Sequence, residues 1–300
     1  MDTDEKKRPV RLGDIPVLHV TGRTLPEAWE RAVMAVWDEG VAIRTEYDRE
    51  DAPPSLDATV MVHVESPMAE PRLHKNIPGG PTELEVYRQE VVEGIHDHWI
   101  NPEEGKWTYT YHERLFGYSP VDDLQQRDSE PPFDPVNQID YIVDKLAETP
   151  YSRRAQAITW MPQADPTTYD PPCLQRVWAR LLTGEDGFQL NFNAHWRSRD
   201  LLMAWFMNVF ALTDLQSILA QRLAERLGEN VHCGRYVDVS DSLHIYGQYR
   251  NEKWEGEVEK MRNSSYMERS WNSDRMAPIF EETRQRLASD PDYYARGDGA

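Results

Sequence analysis

The sequence predicts a single domain of the α+β class. Segments with apolar residues at helical spacing are mixed along the chain with shorter segments in which apolar and polar residues alternate. With 39% hydrophobic residues over 300 positions, the chain can build one substantial core. No internal repeat, low-complexity tract or convincing linker divides it. We therefore expect one domain over residues 1–300.

The first half of the chain carries clear helix and strand signals. The capping box Thr24-Leu25-Pro26-Glu27 predicts a helix that ends at Gly40. The β-branched residues over 58–64 predict a strand. A second capping box at Thr82 predicts a helix over 82–94, and Asp134-Pro135 predicts a helix over 134–149.

The second half adds three strands and a central helix. Residues 155–161 are expected to form a buried strand, and 188–196 alternates cleanly between apolar and polar positions. The polar face of that strand should meet water, a ligand or a wet interface. A long helix over 201–227 is apolar all round in its first half, which predicts a central position. Residues 235–246 alternate as another strand, and the tail predicts one or two exposed helices.

Composition and charge exclude several classes of function. The net charge of −19 repels polyanions, so no nucleic-acid partner is expected; a salt-rich or hot habitat could also explain it. Two cysteines, Cys173 and Cys233, provide no disulfide framework, which favours a reducing cytoplasm. The start of the sequence lacks the apolar core of a signal peptide, and the apolar run over 201–212 is too short to span a membrane. We expect a cytoplasmic protein without a membrane partner.

Cys173 is the candidate nucleophile because of the residues around it. Pro171-Pro172 fixes the backbone ahead of the thiol, and arginines occur in the pair Arg153-Arg154 and in Arg197-Ser198-Arg199-Asp200. Guanidinium groups bind phosphate and favour thiolate over thiol. The alternatives are a packed core thiol for the cysteine and a solvated turn for the arginine pair. Cys233 has no such neighbours, so we interpret it as structural.

Other polar residues give weaker signals. His244 and Tyr246 share one face of a strand and could bind a sugar hydroxyl. Asn208, an amide inside an apolar helix, needs a partner such as a backbone carbonyl, a buried water or a base edge. His96-Asp97-His98-Trp99 lacks a third ligand at recognisable spacing, so no metal is expected. Glycine-rich phosphate loops and serine-hydrolase motifs do not occur in the sequence.

The chain over about 141–246 resembles folate-dependent thymidylate synthase and the related pyrimidine nucleotide hydroxymethylases. The resemblance depends on spacing, because Arg153 precedes Cys173 by 20 positions and Asn208 follows Asp200 by 8. It implies a large mixed β-sheet flanked by helices, with one face of the sheet used for dimerisation. The N-terminal third resembles divergent, archaeal-type members only loosely.

The resemblance implies a role for each motif. Cys173 is similar to the nucleophile that adds to C6 of a pyrimidine, and Tyr111 to a tyrosine of the proton-transfer network. The implied ligands of phosphate, base and sugar 3′-hydroxyl are Arg197, Ser198, Asn208, His244 and Tyr246. Arg153 and Arg154 would reach in trans into the neighbouring site, so a homodimer is expected. The implied co-substrate is 5,10-methylenetetrahydrofolate or a related reduced pterin, bordered by Asp200, His96 and Trp99.

The sequence departs from the family pattern at several positions. Leu174 follows the nucleophile where the family usually has histidine, and His96 replaces a tryptophan. The catalytic glutamate could be Glu70, Glu90 or Glu93, and the N-terminal phosphate arginine could be Arg44 or Arg49. The apolar closing segment of the family is not evident in Tyr294-Ala295-Arg296-Gly297.

The expected reaction is one-carbon transfer from a reduced folate to C5 of a uracil nucleotide, dUMP to dTMP, through a Cys173 adduct. Asn208 favours uracil, because cytosine enzymes of the family tend to carry aspartate there. The alternatives are a 5-hydroxymethylase of dUMP or of a cytidine monophosphate, and a catalytically silent nucleotide-binding relative. A cysteine hydrolase pairing Cys173 with His195 or His244 is a further alternative.

Overall fold

The computed structural model describes residues 12–120 and 134–293. Its strands are Val17–Gly22 (β1), Val41–Ile43 (β2), Ser55–Val64 (β3), Leu73–His74 (β4), Gln156–Ile158 (β5), Leu174–Thr183 (β6), Phe188–Trp196 (β7), Arg199–Asp200 (β8), Val231–Ile245 (β9) and Ser270–Trp271 (β10). Its α-helices are Leu25–Glu39 (α1), Gly80–Val92 (α2), Tyr111–Phe116 (α3), Gln138–Glu148 (α4), Trp205–Leu227 (α5), Glu252–Asn263 (α6) and Ser273–Ser289 (α7).

One mixed sheet of eight strands forms the centre of the fold. Its main order is β1-β3-β9-β7-β6-β5, with β2 added beside β3 and β8 beside β9. The β1–β3 and β7–β9 pairs are parallel, whereas β3–β9, β6–β7 and β5–β6 are antiparallel. Strands β4 and β10 form a separate small pair. A mixed sheet with helices packed on it confirms the α+β prediction.

The core lies between the sheet and helix α5. Helices α1 and α5 lie against the sheet, and α2 packs on α5. Every residue of α5 from Trp205 to Thr213 is buried, because the helix has protein on all sides there. This explains why the first half of that helix is apolar all round, and it confirms the predicted central position.

The opposite face of the sheet is only partly buried. It carries Met61, which is 45% exposed, beside Val239 and His195 in one row across the strands. Val237 and Asn193 lie side by side in the next row. A face that mixes apolar and polar side chains in this way resembles the surfaces that protein interfaces bury. Its use in dimerisation stays a prediction.

Local signals predicted several elements correctly. Thr24 caps α1 by accepting a hydrogen bond from the Glu27 N–H, and Gly228 ends α5 with a φ of 68°. The alternation over 188–196 is β7. The segment 119–135 is rich in aspartate and proline, which is typical of a loop. It lies mostly outside the described ranges, because 121–133 are not described.

Several predicted boundaries were wrong, among them the starts of β3, α5 and β9, and three further cases have an identifiable physical reason. Helix α2 begins at Gly80, before Thr82, since Pro81 suits its first turn. Asn137, not Asp134, caps α4, because its side chain accepts from the Asp140 N–H at 3.0 Å. The strand expected over 155–161 is only β5, an edge strand with Gln156 and Ile158 exposed. No helix in the described residues is both long and apolar enough to span a membrane.

Candidate active site

Cys173 lies at the start of β6, beside the end of β7. The pairing of Leu174 with Trp196 brings Arg197 next to the thiol, and the Arg197 N–H donates to the Cys173 carbonyl at 2.9 Å. The guanidinium of Arg197 donates to the Pro172 carbonyl at 3.2 Å and also to the Pro171 carbonyl. Arg197 therefore clamps the turn that carries Cys173. Arg197, one of the predicted phosphate ligands, therefore lies beside the Cys173 thiol.

The electrostatic effect on Cys173 differs from the expectation. Burial raises the pKa of the Cys173 thiol above its ordinary value, and the Arg197 charge acts in the opposite direction without outweighing burial. Arginine therefore favours the thiolate, as expected, but the net shift is upward. Desolvation of the buried anion is the larger of the two effects.

Arg199 has a structural role. Its guanidinium pairs with the buried carboxylate of Asp238, donates to Ser240 Oγ at 3.0 Å and lies over the Trp196 ring at 4.3 Å. Arg199 is 3% exposed. Its contacts with Asp238 and Ser240 join β8 to β9. Ser198 is partly exposed between Arg197 and Arg199.

Tyr111 lies directly beside the cysteine. Its hydroxyl accepts a hydrogen bond from the Leu174 N–H at 3.3 Å, and its ring packs edge-on against Trp196 at 5.7 Å. Burial raises the pKa of Tyr111 well above 10, and the neighbouring Tyr109 and Cys173 raise it further. The phenol therefore stays protonated at neutral pH and can act only as a hydrogen-bond donor or neutral acceptor.

The His96-Asp97-His98-Trp99 motif positions Tyr111. Asp97 accepts hydrogen bonds from Thr110 Oγ1 at 2.5 Å and from His112 Nδ1 at 2.6 Å, on either side of Tyr111. These bonds fix the start of α3. Gly94 is required nearby, because a Cβ there would meet the His112 ring at 2.3 Å.

His96 is buried with 0% exposure, so it does not border an open ligand site. Its ring bonds to Glu90 at 2.7 Å and to the Pro291 carbonyl at 2.9 Å, and it stacks on Trp99 at 3.6 Å. Trp99 remains partly exposed and donates to Asp292 at 2.6 Å. His96 thus supports Trp99 from behind, which differs from the direct folate contact that the resemblance implies. The residues from Tyr294 onwards, where a closing segment was sought, lie outside the described chain.

None of the three candidate glutamates lies beside Cys173. Glu90 is bound to His96, and Glu70 accepts from the N–H groups of Arg72 and Ser273. Glu93 is 55% exposed. Glu70 and Glu90 are therefore engaged with other parts of the fold, and the choice among the three glutamates stays a prediction.

Asn208 instead meets a tyrosine that sequence reasoning missed. Asn208 lies in the first turn of α5 and is 7% exposed, and its Nδ2 donates to the hydroxyl of Tyr87 on α2 at 2.5 Å. Tyr87 is also among the groups that raise the pKa of Tyr111, so it belongs to the same wall of the site. The buried amide therefore has a phenol as its partner. A single tyrosine on a helix gave no signal that could have identified it.

Asp200 lies where β8 turns into α5. Its Oδ1 accepts from the N–H groups of Leu202 at 2.8 Å and Met203 at 3.0 Å. Burial nevertheless raises the pKa of Asp200 to about 6. Its charge acts on Tyr246, whose pKa is raised by burial and then by Asp200 and Cys173. Asp200, Tyr246 and Cys173 thus surround one space.

His244 has a free ring nitrogen at this site. Burial lowers the pKa of His244 to about 4, so the ring is neutral at pH 7. Its Nδ1 lies 3.4 Å from Ser242 Oγ, which donates to Asp57 at 2.8 Å. Its Nε2 is buried without a hydrogen-bond partner among the described residues. The ring centroids of His244 and Tyr246 lie 4.6 Å apart, so the predicted pair does come together.

Neither His244 nor His195 hydrogen-bonds Cys173 within 12–120 and 134–293. His195 instead faces the partly buried side of the sheet and contacts Asp241 at 3.1 Å. A cysteine hydrolase needs its base within hydrogen-bond reach of the thiol. The geometry therefore gives that alternative no support.

Arg153 and Arg154 are exposed and lie far from Cys173 of their own chain. The Ala179 N–H donates to the Ala155 carbonyl, which places the pair beside Arg180 on β6. At about 3.3 Å per strand residue, the seven residues from Arg180 to Cys173 span roughly 20 Å. The same chain does not bring these two guanidinium groups to its own thiol.

The loop before β3 carries the two candidate N-terminal arginines. Arg44 donates to the carbonyls of Arg49 at 3.1 Å and Ala52 at 2.8 Å, so it holds the loop together. Arg49 is exposed and makes no hydrogen bond through its guanidinium to any residue that the structure describes. Asp48 in this loop acts electrostatically on His244, so the loop borders the site.

The arrangement can bind a small anionic ligand with a ring and hydroxyl groups. Arg197 supplies a cation, Asn208 a donor and acceptor, and Cys173 a thiol. No group of three or more potential metal ligands occurs within the described ranges.

The sequence is similar to known proteins over most of its length. A sequence model of a family described as thymidylate synthase matches residues 80–275, which include most of the site but not the loop before β3. Three proteins named "Putative thymidylate synthase" are similar to the chain. The one from Methanosarcina acetivorans is 26% identical over 227 residues, covering 76% of this chain and 88% of its own.

The other two proteins have a similar sequence identity to this chain. The protein from Methanocaldococcus jannaschii is 27% identical over 228 residues, covering 74% of this chain and 88% of its own. The protein from Methanopyrus kandleri is 29% identical over 216 residues, covering 70% and 87%. With the family match extending over well more than half of its residues, the chain belongs to the thymidylate synthase family.

Proposed function

We propose that the protein transfers a one-carbon unit from a reduced folate to C5 of dUMP and forms dTMP through a covalent adduct with Cys173. The observation that carries this proposal is the convergence of Cys173, Arg197 and Tyr111 at the junction of β6 and β7. Family membership supports one-carbon transfer to a nucleotide. The side chains at the site support the more specific assignment, which is methylation of dUMP through a Cys173 adduct.

The pyrimidine needs a nucleophile at C6 before C5 can react. Addition of the Cys173 thiolate to C6 converts the ring to an enolate with charge on O4. The Asn208 amide can donate to O4 and accept from N3–H. Tyr111, kept protonated, can donate a hydrogen bond beside the adduct. Once C5 has bonded to the carbon unit that the folate would supply, loss of the C5 proton, transfer of a hydride to that carbon and departure of the thiolate from C6 would give the 5-methyl ring.

The high thiol pKa sets a requirement on the bound state. Only the thiolate adds to C6, and burial disfavours it. Binding energy from the phosphate and sugar must therefore place C6 against the sulfur, so that a small thiolate fraction reacts efficiently. Arg197, Ser198 and Arg49 are the proposed phosphate ligands from the same subunit. His244 Nε2 and Tyr246 are the proposed ligands of the sugar 3′-hydroxyl.

The remaining phosphate ligands come from a second subunit in this proposal. Arg153 and Arg154 lie roughly 20 Å along the sheet from their own thiol, a distance estimated from strand geometry. The partly buried sheet face supports a symmetric dimer in which each pair completes the other site. That arrangement matches what the resemblance implies.

The residues present fit a reduced folate beside the pyrimidine. Asp200, with a pKa of about 6, can pair with polar groups of a pterin ring, and Trp99 offers a partly exposed ring. Bound 5,10-methylenetetrahydrofolate, or a related pterin, would supply the carbon unit and the hydride. His96 supports Trp99 and does not contact the pterin.

Hydroxymethylation is the second candidate, because water in place of hydride yields the 5-hydroxymethyl nucleotide. Exclusion of water favours the methyl product. The segment before Tyr293 covers this wall, since Pro291 contacts His96 and Asp292 contacts Trp99. We therefore favour methylation.

Capture of 5-fluoro-dUMP tests the proposal. The fluorine cannot leave as the proton does, so the adduct should accumulate only when Cys173 adds to C6 and C5 reacts with the folate-bound carbon. Intact-protein mass should rise by nucleotide plus folate, and the label should map to Cys173. A protein that binds 5-fluoro-dUMP yet forms no adduct would contradict the proposed chemistry.

A further inference from the structure

Asn208 can face a pyrimidine in two ways. Uracil offers a donor at N3 and an acceptor at O4, whereas cytosine offers an acceptor at N3 and a donor at its amino group. Rotating the amide by half a turn exchanges its oxygen and nitrogen, so each orientation suits one base. An asparagine alone therefore does not choose between uracil and cytosine. A neighbouring group has to hold the amide in one orientation.

Tyr87 is that neighbour in the structure. Asn208 Nδ2 donates to the Tyr87 hydroxyl at 2.5 Å, and Asn208 is 7% exposed. One of the two Nδ2 hydrogens is used in this bond. When the hydrogen anti to Oδ1 makes this bond, the other hydrogen and Oδ1 together form the donor–acceptor edge that uracil complements.

The reverse orientation has a cost that depends on the phenol. Turning the amide would bring Oδ1 against the Tyr87 oxygen, so the phenol would have to change from the acceptor to the donor of this bond. If its proton is already donated to another group in the buried site, that group loses its partner, which is unfavourable. The position of Tyr87 on α2, which packs along α5, keeps the two groups in contact.

We propose that Tyr87 is a specificity-determining positioning residue that holds Asn208 in the orientation that accepts uracil. This inference depends on the proposed function, because it concerns the same base-binding residue. Tyr87 acts through Asn208 and is assigned no part in proton transfer.

Tyr87→Phe tests the inference, because it removes only the hydroxyl. Dissociation constants for dUMP and dCMP are measured by calorimetry without folate, so that turnover is not required. Wild-type protein should prefer dUMP. The variant should narrow the ratio of the two constants about tenfold, equivalent to about 1.4 kcal/mol. Tyr141→Phe is the matched control, since it removes a phenol that bonds to the Arg154 carbonyl, and its ratio should stay at the wild-type value.

A double-mutant cycle keeps the inference testable if Tyr87→Phe also changes packing. In an Asn208→Ala background, Tyr87→Phe should leave the dUMP to dCMP ratio unchanged, because Tyr87 has no amide to orient. A wild-type ratio in Tyr87→Phe, or an equal shift with and without Asn208, would overturn the inference while leaving the proposed function intact. Failure of the wild-type protein to bind either nucleotide would instead contradict the proposed function itself.

Discussion

Replacing Asp200 with asparagine should separate the stability of the fold from the chemistry of the site. The carboxylate is held partly away from water where β8 meets α5, and burial raises its pKa from 3.8 to about 6. Its Oδ1 accepts two backbone hydrogen bonds, from Leu202 and Met203. Asparagine keeps an oxygen that can accept both bonds. Asp200→Asn therefore removes the charge and little else.

The direction in which pH changes the free energy of unfolding follows from the protonation of Asp200 in the folded and unfolded chains. Below pH 3.8 the carboxyl group is neutral in both states, and the substitution should have little effect on the free energy of unfolding. Between pH 3.8 and about 6, unfolding releases a proton, so the wild-type protein loses stability as the pH rises. The shift of about two pKa units corresponds to up to about 3 kcal/mol above pH 6. Asp200→Asn should regain that amount.

Urea unfolding at pH 4.5, 6 and 8 measures the effect. Protein concentration is kept constant, because the stability of a dimer depends on it. The control is Asp186→Asn, whose side chain is 76% exposed, and it should change stability by less than about 0.5 kcal/mol at every pH. Activity should fall in Asp200→Asn although the protein is more stable, because the proposed pterin ligand is lost.

A pH-independent difference between wild type and Asp200→Asn would refute this reasoning. So would a variant that is less stable than wild type at pH 8. Either result would mean that the carboxylate is better solvated, or better paired, than its contacts indicate.

Two further experiments test the proposed site. Cys173→Ser should abolish turnover and leave dUMP affinity near the wild-type value by calorimetry, whereas retained activity would remove Cys173 as the nucleophile. Mixing Cys173→Ser with the double variant Arg153→Ala/Arg154→Ala should restore roughly a quarter of wild-type activity, because half of the dimers are mixed and each has one complete site. If the mixture stays as inactive as its parents, the arginines do not act in trans.

Much of the fold could be predicted because its signals are local. Thr24 and Glu27 fix the start of α1 through one hydrogen bond, and the period of two in β7 places Phe192 and Trp196 on the buried face. The errors arose where partners distant in sequence decide the outcome. The segment 155–161 is apolar, yet it has only β6 on one side, so most of it is not a strand.

The candidate site was predicted in part for the same reason. Spacing identified Cys173 and Asn208, but no pattern could indicate that a phenol on α2 would meet the Asn208 amide. His96 looked like a ligand contact because its neighbours in sequence are polar and aromatic. Its burial depends on Glu90 and on Pro291, which lies near the other end of the chain. Arginines near Cys173 suggested a low thiol pKa, and the depth of burial that reverses the shift is not visible in the sequence.

The mass of the nucleotide product tests the central claim most directly. Wild-type protein is incubated with dUMP and 5,10-methylenetetrahydrofolate, with Cys173→Ser as the control. The account predicts that the wild-type product carries a methyl group in place of the C5 hydrogen, and that the control returns dUMP unchanged. Recovery of unchanged dUMP from folded, nucleotide-binding wild-type protein would contradict the account, and a product with one additional oxygen would identify the hydroxymethylase instead.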